Sequence, residues 1–73
     1  MAVIDEATLI NWFSYHAPTE EDLPKFKAIR DAGFTLAKAI VDSSPASADQ
    51  TAAIRSVRLA VFQANAAIAC GGV

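Results

Sequence analysis

A chain of 73 residues with 53% hydrophobic content forms one domain, which excludes a cofactor fold joined to a separate substrate fold. Folding at this length removes only about 60% of the unfolded chain's surface from water, so a monomer is marginal. One cysteine, Cys70, and one histidine, His16, exclude an intramolecular disulfide and a four-ligand zinc site, leaving self-association as the source of extra stability. Eight acids against six bases give a net charge of −2 and a pI near 5.0, which argues against binding DNA or RNA polymers.

Sixteen alanines and few strand-favouring runs point to helices. The first, about residues 5–14, carries Leu9, Ile10, Trp12 and Phe13 as apolar anchors. Tyr15-His16-Ala17-Pro18 then breaks the chain, because a proline pushes the residue before it out of the helical region. Thr19 is placed to cap the second helix, with Asp22 three positions later in a capping-box arrangement. Pro24 falls near the first turn, where it is tolerated, and the helix is expected over about residues 20–42. The linker Ser43-Ser44-Pro45-Ala46 is short enough to set the flanking helices antiparallel. Ser47 serves as N-cap of the third helix, with Gln50 at the matching box position. This helix runs over about residues 47–69, and Gly71 ends it. The expected fold is all-α, a single domain over residues 1–73: a short N-terminal helix followed by an antiparallel two-helix hairpin.

Both long helices carry an apolar seam. Phe26, Ile29, Gly33, Leu36 and Ile40 recur at spacings of 3, 4, 3 and 4, and Ile54, Val57, Val61, Ala64 and Ile68 repeat them. Matched stripes of this kind zip two helices together. Phe34, Val41, Leu59, Phe62 and Ala66 fall outside the seams, and a two-helix layer has nothing to cover them. The expectation is a symmetric homo-oligomer in which copies bury these faces.

The opening Met-Ala-Val-Ile-Asp-Glu lacks the basic start of a signal peptide. The uncharged run 59–73 is shorter than the ~20 residues of a membrane span. A soluble cytoplasmic protein with a reduced thiol is expected, without membrane contact.

Catalytic constellations are nearly absent. Cys70 has no neighbouring base to lower its pKa, and His16 has no base, nucleophile or metal partner close in sequence. Glu20, Glu21 and Asp22 suit a helix N-terminus electrostatically. No glycine-rich phosphate loop occurs. The reading is therefore no enzyme, no catalytic residue, no metal and no cofactor. The charges are nevertheless segregated. Residues 1–24 hold five acids and no Lys or Arg, residues 25–58 hold every base, and residues 59–73 are uncharged. Around the first break, Tyr15 and His16 lie in a loop, and Lys27 and Arg30 sit three apart on the next helix. Tyr presents a ring on which a nucleobase can stack, and Arg a planar fork of donors for phosphate. The alternatives are a hinge aromatic for Tyr15 and a surface ion pair for Arg30, with an acid such as Asp31 of another copy.

These residues also carry a family likeness. Phe13-Ser14-Tyr15-His16-Ala17-Pro18-Thr19-Glu20-Glu21, then Lys25-Phe26-Lys27-Ala28-Ile29-Arg30, then Asn65-Ala66-Ala67-Ile68-Ala69 resemble the helical-hairpin domain of phage anti-CBASS and anti-Thoeris cyclic-nucleotide sponges. The shared pattern is aromatic-x-Tyr-His-x-Pro, an aromatic followed by x-x-Ile-Arg, a Pro-containing turn, and Asn-Ala-Ala-Ile-Ala. It covers about residues 13–69.

The resemblance implies a hexamer of hairpins in the cytoplasm of an infected bacterial host. Such an assembly sequesters cyclic dinucleotide immune signals without cleaving them. It further implies that Tyr15 stacks on a base and Arg30 holds phosphate at a protomer interface, with His16 and Lys27 as supports. Cys70 stands where the family often has Arg, a departure that weakens the case for a cyclic trinucleotide pocket. The extra β-rich region of the anti-Thoeris relatives, which bind cyclic ADP-ribose isomers, is absent, and this favours cyclic dinucleotides. The rival reading from another class is a structural or protein-binding hairpin.

Overall fold

The structure, a computed structural model, describes residues 4–72. It contains three helices and, among the described residues, no strand: α1 (Glu6–Trp12), α2 (Leu23–Ser43) and α3 (Ala48–Ala69).

Local chemistry accounts for each helix end. Asp5 caps α1, its carboxylate accepting the Thr8 N–H at 2.8 Å. That bond, followed by one from the Thr8 side chain, holds the Asp5 carboxyl below its ordinary pKa. The helix stops at Trp12, two residues before the expected end, and Phe13 closes it with an N–H bond to the Leu9 carbonyl.

Helix α2 begins at Leu23 instead of near residue 20. The preceding residues form a turn in which the Thr19 carbonyl accepts both the Asp22 and the Leu23 N–H, at 3.1 and 3.2 Å. Thr19 does cap this turn, its hydroxyl accepting the Asp22 N–H at 3.2 Å. The expected capping box is not closed, however. Asp22 occupies the N-cap position without a side-chain cap bond and lies 3.8 Å from the Lys25 ammonium. Pro24 sits in the first turn as expected.

Ser47 caps α3 as expected, accepting the Gln50 N–H at 3.1 Å. Gln50 does not return the bond. Its amide donates to the Ser44 carbonyl at 2.9 Å and to the Ser44 hydroxyl at 3.2 Å, tying the start of α3 to the end of α2. Past Cys70, Gly71 and Gly72 adopt positive φ, 69° and 82°. Their N–H groups bond back to Ile68 at 3.3 Å and Ala67 at 2.9 Å, a Schellman ending that requires left-handed backbone.

α2 and α3 pack against each other. Phe26, Ile29, Gly33 and Ile40 are half-buried on one side of the contact, and Ile54, Val57, Val61, Ala64 and Ile68 on the other. Leu36 departs from the expected seam: it is 53% exposed, and Ala37 is half-buried in its place. At Gly33 the two helices come close: an added Cβ would meet a Val61 methyl at 2.6 Å.

Gly33→Ala is accordingly expected to lower the melting temperature. Val61 is β-branched and stiff in a helix, so overpacking of about 1–3 kcal/mol outweighs the ~1 kcal/mol gain in helix propensity. Val61→Ala added to the same chain removes the offending methyl and should recover part of the loss. Thermal unfolding followed by circular dichroism checks both.

Among the described residues none is buried, and twelve large apolar or aromatic side chains are at least 44% exposed. The accessible surface is 5840 Å², against about 4,300 Å² for a compact monomer of this mass. The radius of gyration is 15.4 Å, against roughly 11 Å for a compact domain of this length. Among the described residues no helix is long and apolar enough to cross a membrane.

Candidate ligand-binding site

Tyr15 and His16 lie in the segment between α1 and α2, outside any helix. Tyr15 is 87% exposed, so its ring is not packed between helices of its own chain. The residues on either side of it are both tethered. The Ser14 hydroxyl donates to the Ile10 carbonyl. The His16 Nε2 lies 2.6 Å from the Asn11 carbonyl; since a carbonyl can only accept, this nitrogen carries the proton. With the Phe13 N–H on the Leu9 carbonyl, three successive carbonyls at the end of α1 receive donors from the segment that follows, which a helix C-terminus otherwise leaves unsatisfied.

Lys27 and Arg30 are exposed on α2, but their situations differ. Lys27 is engaged with Asp31 one turn on, at 2.5 Å. This bond, ahead of the attraction of Lys27 and Arg30, lowers the Asp31 carboxyl pKa. Arg30 makes no ion pair among the described residues. An exposed ion pair such as Lys27–Asp31 contributes little to stability, and a ligand phosphate can compete for the ammonium.

Tyr15, His16, Lys27 and Arg30 line none of three open clefts on the described residues. One face of the helix pair presents Phe34, Ala37, Ile54 and Phe62, with the Arg58 guanidinium 5.3 Å from the Phe62 ring centroid. The opposite face, a shallow apolar trough of about 490 Å³, is lined by residues that include Ile29, Leu36, Ala60 and Ala64. A third hollow, between Trp12 and the end of α3, includes Gln63, Ala66 and Cys70.

No family model, curated protein or solved structure matches this chain. The candidate site therefore stands on its own geometry. That geometry offers a ring held out from a tethered loop and, on the next helix, a guanidinium with no ion pair among the described residues. The ring is a flat apolar surface and the guanidinium a planar fork of donors. Among the described residues no three His, Cys, Asp or Glu side chains are grouped to hold a metal ion.

Two residues take part that the sequence did not single out. Asn11 donates its side-chain amide to the Cys70 carbonyl at 3.1 Å, and the Cys70 thiol lies 4.0 Å from the Asn11 carbonyl. Ser14 supplies the second loop tether. Ser14 was detectable locally, as a hydroxyl four residues after a helical carbonyl. Asn11 was not, because its partner is 59 residues away.

Proposed function

We propose that the protein is a binding module that sequesters a cyclic dinucleotide without cleaving it, as the phage anti-defence sponges it resembles do. On this reading it acts in the cytoplasm of an infected bacterial host, where it withholds an immune second messenger from its effector. The observation that carries the proposal is the pair Tyr15 and Arg30: an almost fully exposed ring and an exposed guanidinium with no ion-pair partner among the described residues. Both lie outside the apolar contact between α2 and α3. Tyr15 stacks on a base and Arg30 takes the phosphate, supported by Lys27 and His16.

The proposal includes assembly. α2 and α3 form an antiparallel hairpin, and copies of it associate symmetrically as a homo-oligomer, a hexamer by the resemblance. The excess of about 1,500 Å² over a compact monomer is roughly twice what each partner contributes to one standard interface, room enough for contacts with two neighbours. A pocket between protomers then brings Tyr15 of one copy towards Arg30 of another.

Titration calorimetry against a panel of cyclic dinucleotides, followed by heat release and chromatography of the ligand, tests this reading. Tight binding with intact ligand recovered is the expected result. Cleaved ligand would make the protein an enzyme, and selective binding of a cyclic ADP-ribose isomer would change the ligand class. Binding of no nucleotide would leave the second reading, a protein-interaction hairpin. That reading is favoured by the exposed apolar faces around Phe34 and Leu36.

A further inference from the structure

The tethers around Tyr15 have a common design. Ser14 and His16, the residues immediately before and after it, are each bonded through a side chain to a backbone carbonyl of α1, at Ile10 and Asn11. Those two carbonyls are adjacent in the chain, so the segment is pinned on both sides of Tyr15. The Tyr15 side chain is left 87% exposed. The end of α1 is in turn tied to α3, because the Asn11 amide donates to the carbonyl of Cys70, the C-cap residue of α3. A continuous polar path thus runs from the end of α3 through Asn11 and His16 to the backbone at Tyr15.

We infer that His16 and Asn11 are positioning residues that hold Tyr15 ready for a ligand before it arrives. This rests on the reading of Tyr15 as the base-stacking residue. It changes the role of His16 from direct support of the ligand to support of its neighbour. The Nε2–H of His16 is spent on the Asn11 carbonyl, and binding that drew this donor to a ligand would release the loop that carries Tyr15. The physical gain is preorganisation. A loop ordered in the free protein loses little further freedom on binding, and affinity rises by the cost avoided. His16 suits the task because either the neutral Nε2–H form or the imidazolium donates.

The inference separates three variants, each assessed with and without a cyclic dinucleotide. In the ligand-free protein, ¹⁵N relaxation reads the order of residues 14–17 on the fast timescale, where rigid backbone has an order parameter of about 0.85 and flexible backbone falls below about 0.6. His16→Ala is expected to lower the order at Tyr15 and to weaken binding about 2- to 10-fold, the range set by one newly mobile side chain and its loop. His16→Gln keeps an N–H donor and should recover part of both. Asn11→Ala leaves the backbone carbonyl in place, so the His16 bond persists while α1 and its loop loosen together from α3; the order of residues 6–17 should fall as a unit, and unchanged order there would remove Asn11 from the inference.

Unchanged order at Tyr15 in His16→Ala would overturn the inference. So would loss of binding in His16→Gln with order at Tyr15 like that of the unmodified protein, since the imidazole itself would then contact the ligand. If the unmodified protein binds no cyclic dinucleotide, the proposed function fails. The order measurement, which needs no ligand, still decides whether His16 and Asn11 hold the loop.

Discussion

Tyr15→Ala and Arg30→Ala are each expected to raise the dissociation constant for a cyclic dinucleotide about 10- to 100-fold, without changing the size of the assembly. The magnitude follows from what each side chain contributes. Stacking of a base on an aromatic ring contributes about 1–3 kcal/mol, and a hydrogen bond to a charged group about 1.5–3 kcal/mol. Each 1.4 kcal/mol is a factor of ten in affinity. The assembly should survive because neither residue lies in the contact between α2 and α3. Tyr15 projects from a loop held by its neighbours' side chains, and Arg30 has no ion pair to lose among the described residues. Arg30→Lys distinguishes a planar fork on phosphate from a bare positive charge: the lysine should recover only part of the loss. Calorimetry and light scattering on the same samples check both halves of the expectation. Unchanged affinity in both alanine variants would remove the site assignment.

The second large effect concerns stability. Phe34→Asp and Leu36→Asp, on opposite faces of the helix pair, are each expected to dissociate the assembly and lower helicity at micromolar concentration. Both side chains are exposed in the single chain, Phe34 at 70% and Leu36 at 53%. If the chain worked as a monomer, such surface substitutions would shift stability by no more than about 0.5 kcal/mol. If copies cover these faces, each aspartate instead places a charge in an apolar interface, at a cost of several kcal/mol when unpaired. The helix pair has no buried residue of its own among those described, so in the proposed assembly folding and association would be coupled, and melting temperature should rise with protein concentration. Sedimentation and thermal melts over a hundredfold concentration range measure this. A monomeric protein with concentration-independent melting would refute the assembly argument.

Much of the architecture was readable from local signals. Ser47 caps α3 because a hydroxyl three residues before an N–H competes well for it. Gly71 ends the same helix as expected, because glycine adopts left-handed backbone without a Cβ clash. Phe34, Val41, Leu59 and Phe62 were expected to lie outside the seam and are exposed. The errors were also local. Competing hydrogen bonds shorten α1 at Trp12 and delay α2 to Leu23. Of the candidate site, the exposed Tyr15 and the exposed cations of α2 could be placed from the sequence. The division between an engaged Lys27 and an uncommitted Arg30 could not. Asp31 is within one turn of the first, but which partner it takes depends on rotamers.

The sequence by itself determined three helices, most of their apolar faces and the absence of any internal means, by disulfide or zinc, of supplementing a small core. These follow from interactions between residues a few positions apart, whose geometry a helix sets in advance. Only the tertiary structure decided that Ala37 and not Leu36 completes the seam, that Gln50 bonds across to Ser44, and that Asn11 joins Cys70. Positions 36 and 37 fit a helical period of 3.6 residues nearly equally well. The choice between them falls to the rotation at which α2 settles on α3, which exists only once the two helices have packed.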